Sequence, residues 1–208
     1  MGYWEIDKTF HLEYGHRVWS QQLEAEFCAI GDTQCACRHP HGHSGTVRFF
    51  LRGSELVRGM VTDFKHLGFM KNFIDDVLDH KFIIDKNDPA LTRITQVKIN
   101  ESALTFTYLS QNSGELVGTL KPILLNQKLC GYQLDHSPFS PQIEVYEQEL
   151  LEGFFIVEFI PTSENLAQFI CQVAQAKMSD LGVFVAKVEW NETIKSRAVY
   201  IAQSELKA

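Results

Sequence analysis

The chain has 208 residues, 45% of them hydrophobic, with five cysteines and a formal net charge of −7. That is core material for one or two domains, and the acidic balance argues against a broad polyanion-binding surface while leaving room for a local anion pocket. The longest apolar runs, such as 153–157, are too short to span a bilayer. The first seven residues lack the basic and apolar parts of a signal peptide, and an odd cysteine count argues against a disulfide framework. A cytoplasmic chain with no membrane or nucleic-acid partner is expected.

Trp4 to Val18 reads as a half-buried strand, with Phe10, Leu12, Tyr14 and His16 on one face and His11, Glu13 and Gly15 on the other. A polar connection follows, containing a short helix-compatible piece at 21–27. The next segment is Cys37-Arg38-His39-Pro40-His41-Gly42-His43, which runs into the strand-like Ser44-Gly45-Thr46-Val47-Arg48-Phe49-Phe50-Leu51. Strand side chains alternate, so His41 and His43 share a face. Antiparallel pairing of the two strands would bring His16 beside them. Three neutral imidazoles satisfy a catalytic zinc site and leave a fourth position for water or substrate. Cys37 stands outside that register, which favours a base or nucleophile over a fourth ligand, since a thiol near a divalent cation ionises more easily.

Asp63 to Leu78 reads as a helix with Asp63 as N-cap and an apolar stripe through Leu67, Met70, Phe73, Ile74, Val77 and Leu78. It runs out into Asp79-His80, an imidazole with a carboxylate beside it that could orient it, or equally a histidine at a helix C-terminus. The turn at 86–89 follows. Residues from about 90 to 150 have the texture of short strands, with turns at 112–114 and 137–141, and no chemically suggestive cluster. They read as a β-rich insertion within one domain spanning 1–208. A strand at 153–159 then leads into a second amphipathic helix, capped by Thr162 or Ser163 and lined by Leu166, Phe169, Ile170 and Val173. Strands at 184–190 and 196–201 close the chain. Glu192, beyond the first of them, could accept paired N–H bonds from a heterocycle. Glu164, in the first helical turn, could instead simply favour the helix dipole. Without the insertion the order is β-β-α-α-β-β, an α+β sandwich with an antiparallel four-stranded sheet and two helices on one face.

Six segments, in order, resemble the 6-pyruvoyl-tetrahydropterin synthase/6-carboxytetrahydropterin synthase family, of the tunnelling fold. They are Leu12-Glu13-Tyr14-Gly15-His16-Arg17-Val18, the Cys37–His43 segment, Gly59-Met60-Val61-Thr62-Asp63-Phe64, Leu78-Asp79-His80, Pro161-Thr162-Ser163-Glu164-Asn165-Leu166-Ala167 and Glu192-Thr193. The resemblance implies Zn2+ on His16, His41 and His43, catalytic roles for Cys37, Asp79 and His80, a pterin-ring anchor at Glu192, and Glu164 near the pterin pocket. The cysteine–histidine and P-T-S-E patterns look more like the bacterial 6-carboxy-5,6,7,8-tetrahydropterin synthases of the 7-deazaguanine (queuosine) pathway, which serves tRNA modification. That implies a carbon–carbon/carbon–oxygen lyase acting on 7,8-dihydroneopterin triphosphate, with 6-carboxytetrahydropterin, acetaldehyde and triphosphate as products. Alternatives are 6-pyruvoyl-tetrahydropterin formation, dihydroneopterin aldolase or epimerase action, and a non-catalytic pterin-binding relative. The family also implies a homo-oligomer, a hexamer built as a dimer of trimers with sites between subunits. The 90–150 insertion has no counterpart in its short members.

Overall fold

A computed structural model describes residues 2–28, 35–125 and 127–203. Its frame is a long hairpin of β1 (Trp4–His16) and β2 (His41–Gly53), paired antiparallel without a break from Trp4↔Gly53 to His16↔His41. Inward positions are apolar and outward ones polar: Leu12, Tyr14, Val47 and Phe49 are buried, while His11, Glu13 and Ser44 are exposed. A helical segment begins at Asp63, whose side chain accepts from the Lys65 N–H. It is not one regular helix. A 3-10 turn (Phe64–Leu67) leads into α1 (Gly68–Phe73), which ends in a π-helical turn (Ile74–Leu78). Such turns recur at functional positions, and this one delivers the chain to Asp79-His80.

Next come β3 (Lys81–Asp85), α2 (Leu91–Thr95), β4 (Val97–Asn100), β5 (Thr105–Ser110), β6 (Gly114–Leu125), β7 (Lys128–Asp135), α3 (Val145–Glu152) and β8 (Phe154–Val157). The chain ends with α4 (Ser163–Met178), β9 (Phe184–Asn191) and β10 (Arg197–Ile201). Among the described residues ten strands make one sheet, ordered β10-β9-β2-β1-β3-β8-β7-β6-β5-β4. The four-stranded sheet expected from the sequence is thus only part of it. The strands β3 and β8 lie beside β1, parallel to it and to each other, and β4–β7 extend the same sheet as an antiparallel meander.

Strand β3 had no reading in the sequence, and its environment explains why. Ile83, Phe155 and Val157 pack into one core, with α1, the π-helical turn and α4, whereas Ile84, Phe154 and Ile156 pack into another, with Phe106, Tyr108, Leu120, Phe139 and Leu151. Strands buried on both faces read as continuous apolar runs, so the period-two signal is lost. The insertion therefore builds its own core with β3 and β8, and it carries the helices α2 and α3 as well as strands.

Candidate metal and active site

The three histidines converge where β1 ends and β2 begins. His16 faces His41 across the ladder and His43 lies diagonally, behind Tyr14. Their ligating nitrogens all fall within 4.8 Å of one another, and the Nε2 atoms of His16 and His43 are 3.1 Å apart. Zinc–nitrogen bonds of roughly 2.0–2.1 Å in a tetrahedron place ligand atoms about 3.3 Å apart, so the set fits a zinc-sized cation. The outward nitrogens support that fit. His16 Nδ1 donates to the Pro161 carbonyl at 2.6 Å and His41 Nδ1 to the His39 carbonyl at 2.8 Å, which turns each Nε2 inward. Burial pushes the His16 imidazole down to about 4, with repulsion from His41 and His43 adding to it, and burial lowers His43 as well. Both are held in the neutral, metal-binding form.

Tyr14 forms the floor and carried no functional signal in the sequence beyond sharing a strand face with His16. Its ring lies 5.4 Å from that of His16 and 5.5 Å from that of His43. Its hydroxyl accepts from Trp190 Nε1 at 2.8 Å, and burial pushes its ionisation upward. Other missed contributors are the backbone carbonyls of His39 and Pro161, which no side-chain pattern announces. Across the ladder Gly15 faces Gly42. A Cβ at Gly15 would come within 2.7 Å of the Phe82 ring, so that ring can press on the strand only where a glycine stands.

Cys37 lies on a 3-10 turn (Ala36–Arg38) tied to the end of β1 by the Val18 N–H donating to the Cys37 carbonyl at 2.8 Å. Its sulfur is 3.5 Å from that of Cys35. Burial, the Cys35 sulfur and the Glu192 charge push the Cys37 thiol up, while hydrogen bonding from the Cys37 backbone and side chain pulls the Cys35 thiol down. Glu192 is partly exposed, with its carboxylate 3.7 Å from His16 Nε2. Glu164 is exposed in the first turn of α4, three residues beyond the carbonyl that holds His16.

Asp79 and His80 are tied to Glu13 of β1. The Asp79 carboxylate accepts from the Glu13 N–H at 2.7 Å and from His80 Nδ1 at 2.8 Å, and the His80 N–H donates to the Glu13 carbonyl at 2.6 Å. Burial alone would raise Asp79, but those hydrogen bonds outweigh it and hold the carboxyl below its usual range. His80 takes a left-handed backbone (φ 57°) and its side chain is 77% exposed. It meets the histidines only along an open groove of about 700 Å³, whose walls include His41, Gly42, His43 and His80. Three basic side chains from these segments have partners: Arg17 pairs with Asp88, Arg38 donates to the Cys35 carbonyl and Lys81 to the Glu152 carbonyl.

Residues 5–203 match the family model described as 6-pyruvoyl tetrahydropterin synthase. The chain belongs to this family. Within it, the chain is 30% identical to the 6-carboxy-5,6,7,8-tetrahydropterin synthase of Aquifex aeolicus, aligned over 95% of this chain and 97% of that one. An uncharacterised protein from Wolinella succinogenes is 35% identical, with a TM-score of 0.78 over 98% of this chain and 100% of its own. Both spans run through residues 90–150. The 6-pyruvoyltetrahydropterin synthase of Plasmodium vivax shares the fold, at 15% identity and a TM-score of 0.51 over 98% of this chain and 100% of its own.

Proposed function

We propose that the chain is a zinc-dependent 6-carboxy-5,6,7,8-tetrahydropterin synthase. It would convert 7,8-dihydroneopterin triphosphate to 6-carboxytetrahydropterin, acetaldehyde and triphosphate in the 7-deazaguanine/queuosine pathway, as a cytoplasmic homo-oligomer. The observation that carries this reading is the histidine cluster, with two of its three rings turned inward by carbonyls. The similarity to the Aquifex synthase supports the product assignment.

His16, His41 and His43 would hold the metal, and Tyr14 would keep water from the ring edges beneath them. Zinc there supplies Lewis acidity toward the substrate's side-chain oxygens, and its charge favours an ionised thiol nearby. Cys37 moves one proton at the substrate side chain, with Cys35 at 3.5 Å as the group that shares its proton. His80, oriented by Asp79, moves the other. Because its ring stands open to solvent, we place it in the site of a neighbouring copy, in keeping with an assembly that has sites between subunits. Glu192 holds the pterin against the metal site, and Glu164 lies at the edge of the same pocket.

The description of the family model favours a second reading, 6-pyruvoyl-tetrahydropterin formation. Purified protein given 7,8-dihydroneopterin triphosphate decides between them. Acetaldehyde released together with triphosphate and 6-carboxytetrahydropterin supports the first. Triphosphate and a 6-pyruvoyl product without acetaldehyde would establish the second. A two-carbon aldehyde that still carries the triphosphate, with no free triphosphate or acetaldehyde, points to aldolase chemistry, and an unchanged substrate to a non-catalytic relative.

A further inference from the structure

His16 is the last residue of β1, so the ladder that holds the metal cluster in place stops at it. The two side chains that anchor the chain beyond it are received by buried carboxylates. Arg17 Nε lies 3.1 Å from Asp88 Oδ2, and the Asp88 side chain is fully buried. Neither of those two atoms makes a hydrogen bond, so the charges rest on each other in a dry setting, where their attraction is strong and an unpaired partner is costly. Two residues on, Trp19 Nε1 donates to Asp85 Oδ2 at 3.1 Å.

Both acids sit on one short turn that starts where β3 ends. This strand runs beside β1, with Ile83 abreast of His16. The remaining oxygens of the two carboxylates are spent inside the turn. Asp85 Oδ1 accepts from the Asn87 N–H at 2.9 Å and Asp88 Oδ1 from the Ala90 N–H at 2.8 Å, while the Asp88 N–H donates to the Asp85 carbonyl at 3.0 Å. The turn is rigid by its own hydrogen bonds and presents one oxygen to Arg17 and one to Trp19. A metal ligand needs its position held to about half an ångström. The Pro161 carbonyl sets the angle of the His16 ring, but it does not hold the backbone that carries the ring.

We propose that Asp88, acting through Arg17, is a positioning residue for His16, with Asp85 and Trp19 as a second tie, so that the turn opening the inserted region is part of the metal centre. This rests on the reading of His16, His41 and His43 as a metal site. Cobalt(II), which absorbs visibly in tetrahedral nitrogen sites, separates the two ideas. The full-length metal-free protein, titrated with Co2+, should bind one ion per chain. D88N keeps the bond to the Ala90 N–H and removes the charge opposite Arg17. It should bind Co2+ severalfold to about tenfold more weakly, less than the ten- to hundredfold effect of a group bonded directly to a ligand, because Asp88 reaches His16 only through Arg17, and with shifted visible bands. Its unfolding should remain cooperative. Wild-type affinity and spectrum in folded D88N would overturn the positioning role and leave the metal site standing. No Co2+ bound by the wild type would overturn both. Should D88N fail to fold, the double variant D88N/R17Q, which leaves neither partner as an unpaired buried charge, carries the same test. A severalfold loss of affinity with shifted bands supports the proposal, and an unchanged titration overturns it.

Discussion

The hairpin β1–β2 and the inserted half differ in how their buried polar groups are satisfied. Glu147 on α3 is buried, and its carboxylate accepts from Tyr108, Ser110 and the Glu144 N–H, each at 3.0 Å. Those bonds hold it below the usual carboxylate range despite burial. It closes a capping box and leaves nothing unspent. His16 is buried as deeply, but only its Nδ1 is committed to a carbonyl, while its Nε2 faces the nitrogen of His43 and the carboxylate of Glu192. A saturated buried polar group marks structure, and a buried group with a spare ligand atom aimed at others like it marks a binding site. By that criterion His16 marks a binding site and Glu147 marks architecture, while Asp88 Oδ2 and His136 Nδ1 are buried atoms of the inserted half that make no hydrogen bond.

The sharpest way to break the comparison is to remove a histidine. H41A should lose its metal, read by elemental analysis, and lose roughly a thousandfold or more in turnover, the several kcal/mol that a Lewis acid contributes. Full metal occupancy in H41A would end the distinction between the halves. C37A should lose turnover by about 10²- to 10⁴-fold while keeping its metal. C35A should lose less and move the pH profile, since it removes the sulfur 3.5 Å from Cys37. Equal losses in the two variants would make the thiols interchangeable.

E147A tests the architectural half. It strands two buried hydroxyls, those of Tyr108 and Ser110, and should cost about 1–3 kcal/mol for each left without a substitute partner, read by denaturant unfolding, with metal stoichiometry unchanged. A further expected effect is one of pH. His16 is depressed to about 4 by burial in the folded chain, against about 6.5 unfolded. The unfolded chain therefore binds the proton first as pH falls. The stability His16 confers is complete above about 6.5 and is lost progressively toward 4. Metal-free protein should show that decline in its melting temperature, and H16Q should show less of it. A decline of the same size in H16Q would place the titration elsewhere.

What could be read from the sequence was whatever depended on local period and order. The alternation of Leu12, Tyr14 and His16, the His41–His43 spacing and an antiparallel hairpin suffice to bring three imidazoles together, because a strand's period of two leaves few other outcomes. The Asp63 cap and the apolar face of α4 were legible for the same reason. The tertiary structure decided the rest. It placed β8, legible as the strand at 153–159, and the unread β3 between the hairpin and the insertion, and β3, buried on both faces, carries no alternation to read. It turned His16 and His41 inward through the carbonyls of Pro161 and His39, and brought Arg17 against Asp88 across 71 positions of sequence. It also tied Asp79-His80 to the backbone of Glu13. Backbone carbonyls leave no mark in a side-chain pattern, and a pair far apart in sequence meets only after the strands between have found their order.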